Sequence, residues 1–154
     1  AMIGYKVKNT MTENGAVKRG ICEVENQFLT NIIECSIERK NSKVIATPLN
    51  GGDDFEISED DIVSMNLALF TPSFFKYLEK MFLEFLDKNR NNIESCEFFM
   101  PDAMFRSIKE KYATVKVFET NATWYGVTYK EDTEMVKEAL KNLNIKGEYP
   151  NELW

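Results

Sequence analysis

Residues 61–86 restrict the fold more than any other stretch of the chain. The mostly apolar run at 62–69 has the length of a buried strand, and Thr71 followed by Pro72 ends it and opens a helix. Threonine can cap a helix start, and a first-turn proline forfeits no hydrogen bond. Phe74, Phe75, Leu78, Met81, Phe82, Phe85 and Leu86 then recur at helical spacing and form one broad apolar face. A face this wide is expected to lie on a sheet, with its aromatic rings serving as core packing.

The other segments are placed relative to this strand–helix unit. Residues 2–7 begin at once as a strand, and Asn14-Gly15 marks a turn within the polar connection that follows. Residues 16–24 and 28–38 read as strands joined by a turn at 25–27. In the second of these, Leu29, Ile33, Cys35 and Ile37 fall on one side of a period of two, and Thr30, Ile32, Glu34, Ser36 and Glu38 on the other. A turn at 40–43 leads to a short strand at 44–47. Residues 50–54 read as a solvated hairpin tip, because Asp53 and Asp54 beside Gly51-Gly52 would repel a phosphate.

Beyond the long helix, Pro101 opens a short helix that turns Ala103, Met104, Phe105 and Ile108 inward. Residues 113–118 alternate like a strand, and 124–129 read as a second extended segment. Asp132 or Thr133 caps a last helix on which Met135, Val136, Ala139, Leu140 and Leu143 share a face, and Trp154 is expected to pack back onto the domain. This order of elements predicts one α/β domain whose sheet is mixed, because hairpins alternate with helical connections.

Composition narrows the function classes. The 154 residues, 44% of them hydrophobic, suffice for one domain with a true core. A net charge of −6, with no Lys/Arg cluster to offset it, argues against nucleic acid or an anionic membrane as partner. There is neither an apolar run of membrane length nor a signal-peptide pattern, so a cytoplasmic protein is expected. Cys22, Cys35 and Cys96 lack CxxC spacing and read as free thiols. The absence of histidine excludes Ser–His, Cys–His and His–metal mechanisms. Ala1, ahead of Met2, reads as the remnant of a cleaved tag.

Met2-Ile-Gly-Tyr5, Thr12-Glu-Asn-Gly-Ala-Val-Lys-Arg-Gly20, Ile33-Glu34, Ser64-Met-Asn-Leu-Ala-Leu-Phe-Thr-Pro72, Phe99-Met-Pro101 and Trp124-Tyr-Gly-Val-Thr-Tyr-Lys-Glu-Asp132 follow one another along nearly the whole chain. In that order they resemble the second half of bacterial sugar-phosphate nucleotidyltransferases, which join a nucleoside triphosphate to a sugar-1-phosphate with release of pyrophosphate. The resemblance implies a mixed sheet with helices packed on it, the second half of a Rossmann-like, glycosyltransferase-A-like domain.

The resemblance also assigns residues. Glu34 matches a carboxylate that binds sugar hydroxyls, a task suited to two acceptor oxygens. Asn66 would line the sugar pocket and offer both a donor and an acceptor. The two are expected on one concave surface beside the amino end of the long helix. Cys35 stands where relatives often carry a phosphate-binding lysine. Gly126 stands where they carry a magnesium-binding aspartate, and Ala68-Leu69 where this branch has Trp-Gly.

The Gly-x-Gly-Thr-Arg triphosphate loop of the family's first half has no counterpart in these 154 residues. The chain is therefore expected to hold no cofactor itself, with Mg²⁺ belonging to the full-length family. It reads as the sugar-binding fragment of such an enzyme, inactive alone; the alternatives are a non-catalytic module that binds a sugar phosphate or a partner chain, and an unrelated α/β domain. In the parent fold the strand starting at Met2 lies inside the sheet, beside the nucleotide-binding half. An open edge at residues 2–7, or the face that half would cover, predicts a two-fold homodimer.

Overall fold

The two short turns between the first long strands carry left-handed backbone at both central residues: Asn26 and Gln27 (φ 51° and 69°), then Asn41 and Ser42 (φ 49° and 65°). This is the twist that closes a two-residue hairpin, and asparagine tolerates it best among residues with a side chain. The turns generate the antiparallel strands β2 (Val17–Glu25), β3 (Phe28–Lys40) and β4 (Lys43–Pro48). A short strand, β5 (Phe55–Ile57), extends them, although three residues are too few to announce themselves in the sequence. The computed structural model describes residues 1–12, 15–127, 130, 132–150 and 152. Asn14 and Trp154, and with them the expected turn and the docked tail, lie outside these.

β1 (Met2–Lys6), β6 (Ile62–Ala68) and β7 (Val117–Thr120) complete a seven-stranded sheet of order β5-β4-β3-β2-β6-β1-β7. β1 runs antiparallel to β6 and parallel to β7, so the sheet is mixed as expected. β1 offers no open edge: it is paired on both sides within this chain, which removes residues 2–7 as an exposed interface. The sheet ends instead at β5 and β7. Strand β7 starts later than the alternation at 113–118 predicted, because residues before Val117 pair with the β2–β3 turn region: Leu29 N–H donates to Val115 O and Val117 N–H to Gln27 O.

The period-two reading of β3 also breaks once. Val24 pairs with Leu29 but Glu23 with Asn31, so the extra residue in β3 reverses its phase. Leu29 consequently joins Ile32, Cys22, Met2, Val115 and Val117 on one face, while Ile33, Cys35 and Ile37 pack with Val17, Ile21 and Val63 in the other core cluster.

Among the described residues there are three α-helices: α1 (Pro72–Lys88) and α2 (Met100–Lys109), which follow the sheet's central strands in the chain, and α3 (Asp132–Ile145), which is described with its own unit below. Phe105 and Ile108 of α2 pack against the Leu29–Ile32 cluster. The broad apolar face of α1 does not lie on the sheet. Phe74, Tyr77 and Met81 are buried against Ala103 of α2, in a cluster without strand residues, whereas Phe75 and Phe82 are 59% and 43% exposed. The interior of this helix pair is tied by polar groups at its rim. Tyr77 stacks on Tyr112 at 4.3 Å and donates to Glu110 at 2.8 Å, and Arg106 bridges Glu110 and Glu84 at 2.6 and 2.7 Å. Burial, then the bond to Glu110, pushes the Tyr77 hydroxyl up to about 12.

The chain divides into two compact units, Ala1–Ala122 and Thr123–Trp154. In the second, none of the described α3 residues is buried, and residues 123–127 form no strand.

The division of α1 into a buried and a bare sector has a measurable consequence. Met81→Ala opens a cavity against Ala103 and is expected to lower stability by about 2–4 kcal/mol. Phe75→Ala, in dilute solution, should change it by less than about 0.5 kcal/mol. Urea unfolding followed by circular dichroism compares the two.

Candidate functional site

Gly20 sits in the middle of β2, where a side chain would normally stand on the sheet. It pairs with Glu34 of β3 on one side and Ser64 of β6 on the other, and Ser64 pairs in turn with Gly4 of β1. Directly opposed residues share a face, so this row presents Glu34, a bare glycine, a buried hydroxyl and a second bare glycine in sequence across four strands. A side chain at position 20 would have to displace the ends of two neighbouring side chains. A Cβ at position 20 would stand 2.8 Å from Glu34 Oε1 and 2.9 Å from Ile32 Cδ1. The Glu34 carboxylate therefore lies across the sheet over Gly20.

Asn66 is placed by a different device. The β1–β6 register shifts between the Gly4–Ser64 and Met2–Ala68 pairs, and within that bulge Asn66 takes φ 57°. Asparagine is among the few residues that adopt this conformation readily, and its N–H turns back to Ser64 Oγ at 3.3 Å. Asn66, exposed, lines a cavity of about 310 Å³ with Ala68, Phe70, Phe98, Phe99 and Met104, closed by Met100 and Pro101 from the start of α2.

The first turn of α2 joins the two residues. Pro101 borders the Asn66 cavity, and its neighbour Asp102 lies near enough to Glu34 to act on its charge. Glu34, half-buried, has its pKa raised by burial first and then by Asp102, with Arg19 opposing. Glu34 does not itself line the Asn66 cavity: Asn66 meets the amino end of α2 at Met100 and Pro101, and Glu34 senses it through Asp102. The expected place beside the amino end of the long helix is not where the cavity lies: no residue of α1 lines it, and Phe70, two residues ahead of α1, is the nearest to do so. Sequence reasoning does not single out Asp102 or Ser64; a glycine interrupting the apolar strand at position 20 is the signal available for the arrangement as a whole.

The other positions named by the resemblance fall elsewhere. Cys35 is fully buried on the opposite face and its thiol is pushed up to about 11 by burial and by Glu34, so it offers no contact to a phosphate. Cys22 is likewise a buried thiol, raised to about 12 by burial. Gly126 lies beneath its neighbour's indole: a Cβ there would meet the Trp124 ring at 2.0 Å. Among the described residues, no group of three or more His, Cys, Asp or Glu side chains is arranged to hold a metal. Gly126, where the resemblance places a magnesium-binding aspartate in the full-length family, has no side chain to ligate with. Gly51 and Gly52 (φ 90° and 130°) belong to the β4–β5 turn, which Thr47 Oγ1 closes by donating to Asp54 at 2.7 Å.

Among the described residues no helix is long and apolar enough to cross a membrane. No protein-family model matches the chain, and no curated protein matches it.

Because the folded state raises the pKa of Glu34, it holds that proton more tightly than the unfolded chain does. Its contribution to stability is complete below the unfolded-state value and is lost as pH rises through the folded one. Glu34→Gln should therefore match the parent in stability below about pH 4 and exceed it increasingly toward neutrality. Thermal melts across that range measure the difference, and a gap that widens toward acid would contradict this reading.

Proposed function

We propose that this chain is the sugar-phosphate-binding half of a nucleotidyltransferase and binds the sugar through Glu34 and Asn66 at the amino end of α2. The observation that carries the reading is the Glu34 carboxylate laid over Gly20, on the sheet face that α2 covers and toward which Asn66 also turns. A half-buried carboxylate with two acceptor oxygens can take hydroxyl donors from adjacent carbons of a sugar ring. Partial burial strengthens each such bond by excluding competing water. Asn66 supplies a donor and an acceptor at the cavity mouth, and the Phe70 and Phe98–Met100 wall offers apolar surface to a ring's carbon face.

The fold supports the same reading at a coarser level. A mixed sheet in which β1 and β7 run parallel, with β6 antiparallel beside β1, suits the second half of a Rossmann-like, glycosyltransferase-A-like domain. Catalysis of nucleotidyl transfer depends on electrostatic positioning of the triphosphate and its metal, for which these residues supply no Gly-x-Gly-Thr-Arg loop. The 154-residue chain binds and orients a sugar phosphate and does not itself turn it over.

Two measurements test this. Titration with glucose-1-phosphate, followed by ¹⁵N–¹H NMR, should shift the amides of Gly20, Glu34 and Asn66 with millimolar affinity, as expected for about two hydrogen bonds. Glu34→Ala should weaken that binding by about tenfold or more. The absence of any shift at millimolar ligand would sink the sugar-site reading. Pyrophosphate release from any nucleoside triphosphate and a sugar-1-phosphate would refute the claim that the chain is inactive alone.

A further inference from the structure

The apolar surface of α1 that the fold leaves bare continues without a break into the next segment. Phe75, Leu78 and Phe82 form one wall of a cavity of about 350 Å³ whose other wall is Phe98 and Met100. Phe98 and Met100 also line the neighbouring cavity at Asn66, so the two make one trough. Phe75, Phe82 and Phe99 along it are 43–59% exposed, and Leu83, one turn beyond Glu79 on α1, is 60% exposed. Half-exposed side chains of this size each leave about 100 Å² uncovered, and with the half-buried Leu78, Leu86 and Met100 the bare apolar surface is roughly 500 Å². A patch of that size matches the largest that a typical monomer carries, and such patches are often functional.

We propose that this surface is where a second copy of the chain docks, α1 against α1 in antiparallel fashion about a two-fold axis. The inference goes beyond the sugar-site reading and does not depend on it. The area supports a symmetric pair: two such patches bury about 1,000 Å² before the polar border is added, the lower bound for a specific interface. Charge then selects the direction. Lys76 and Asp87 flank the same edge of the exposed sector, about three turns apart and so at nearly the same azimuth. An antiparallel partner sets Lys76 of one copy opposite Asp87 of the other at both ends, whereas a parallel two-fold partner carries its charged edge to the opposite border and leaves both residues without a partner across the interface. The helix macrodipoles oppose each other in the same arrangement.

One residue limits the strength of the pair. Glu79 borders the trough among Phe75, Leu78 and Phe82, and covering it removes water from a carboxylate. The association is therefore weak, with Kd on the order of micromolar.

Sedimentation velocity of the whole chain between about 1 and 100 μM decides the matter. The expected result is a concentration-dependent shift from monomer to dimer. Phe82→Glu, on the exposed sector, should weaken the dimer by at least tenfold with an unchanged circular dichroism spectrum, and Glu79→Gln should tighten it several-fold. Lys76→Asp should weaken it, and Lys76→Asp combined with Asp87→Lys should restore it, a recovery that neither general stickiness nor misfolding would produce. A monomer at every concentration overturns the proposal. A dimer indifferent to Phe82→Glu, or a charge swap that fails to restore it, overturns it equally, since the copies then meet elsewhere.

Discussion

The insertion of β1 between β6 and β7 is the constraint on which the larger unit depends. A strand at the start of a chain can satisfy its backbone groups on both sides only by recruiting distant segments, and here the partners are Ile62–Ala68 and Val117–Thr120. Closing those contacts draws the β2–β5 hairpins to one side and the α1–α2 connection across one face. Gly4 marks how tightly this is done, because a Cβ there would stand 2.4 Å from Ile62 Cγ2 and 3.0 Å from Val117 Cγ1. The side-chain packing of β6 and β7 onto β1 needs a residue with nothing to pack.

Within this unit α2 and then α1 are arranged in succession above the sheet. α2 covers the face bearing Met2, Cys22, Leu29 and Ile32, and α1 packs on α2 through Phe74, Tyr77 and Met81. A helix that rests on another helix buries a narrow stripe, whereas a helix lying on a broad sheet buries more of its circumference. The apolar sector of α1 is wider than the stripe α2 can cover. Its surplus is the origin of the exposed phenylalanines, and the Tyr77–Glu110–Arg106–Glu84 chain of polar contacts holds the opposite rim in register.

The region around Glu34 gains its character from the same layering. Directly opposed pairing places the carboxylate beside a glycine, and the first turn of α2 adds burial and the negative charge of Asp102. Those influences disfavour a second negative group at that point and favour donors such as hydroxyls. Arg19, on β2, offsets them only in part; its guanidinium donates to Thr10 O at 2.7 Å and Lys18 O at 2.8 Å.

The sequence by itself determined what short-range chemistry controls. Asparagine-containing turns at 25–27 and 40–43, proline at the first turns of α1 and α2, and the alternation of most of β3 each act within a few residues, so most elements and the mixed α/β class could be read directly, whereas β5 and the lack of a strand at 124–127 could not. It also marked Glu34 and Asn66 as residues to locate. Tertiary structure decided the rest. Periodicity shows that α1 has an apolar face without showing what covers it, and only the position of α2 separates buried Met81 from exposed Phe75 and Phe82. One extra residue in β3 reverses a face, and strand pairing across more than a hundred residues makes β1 internal. The neighbourhood of Glu34 was undecided for the same reason: Gly20, Ser64 and Asp102 meet it across strands and a helix far apart in sequence, where pairing register, and no local preference, sets which side chains meet.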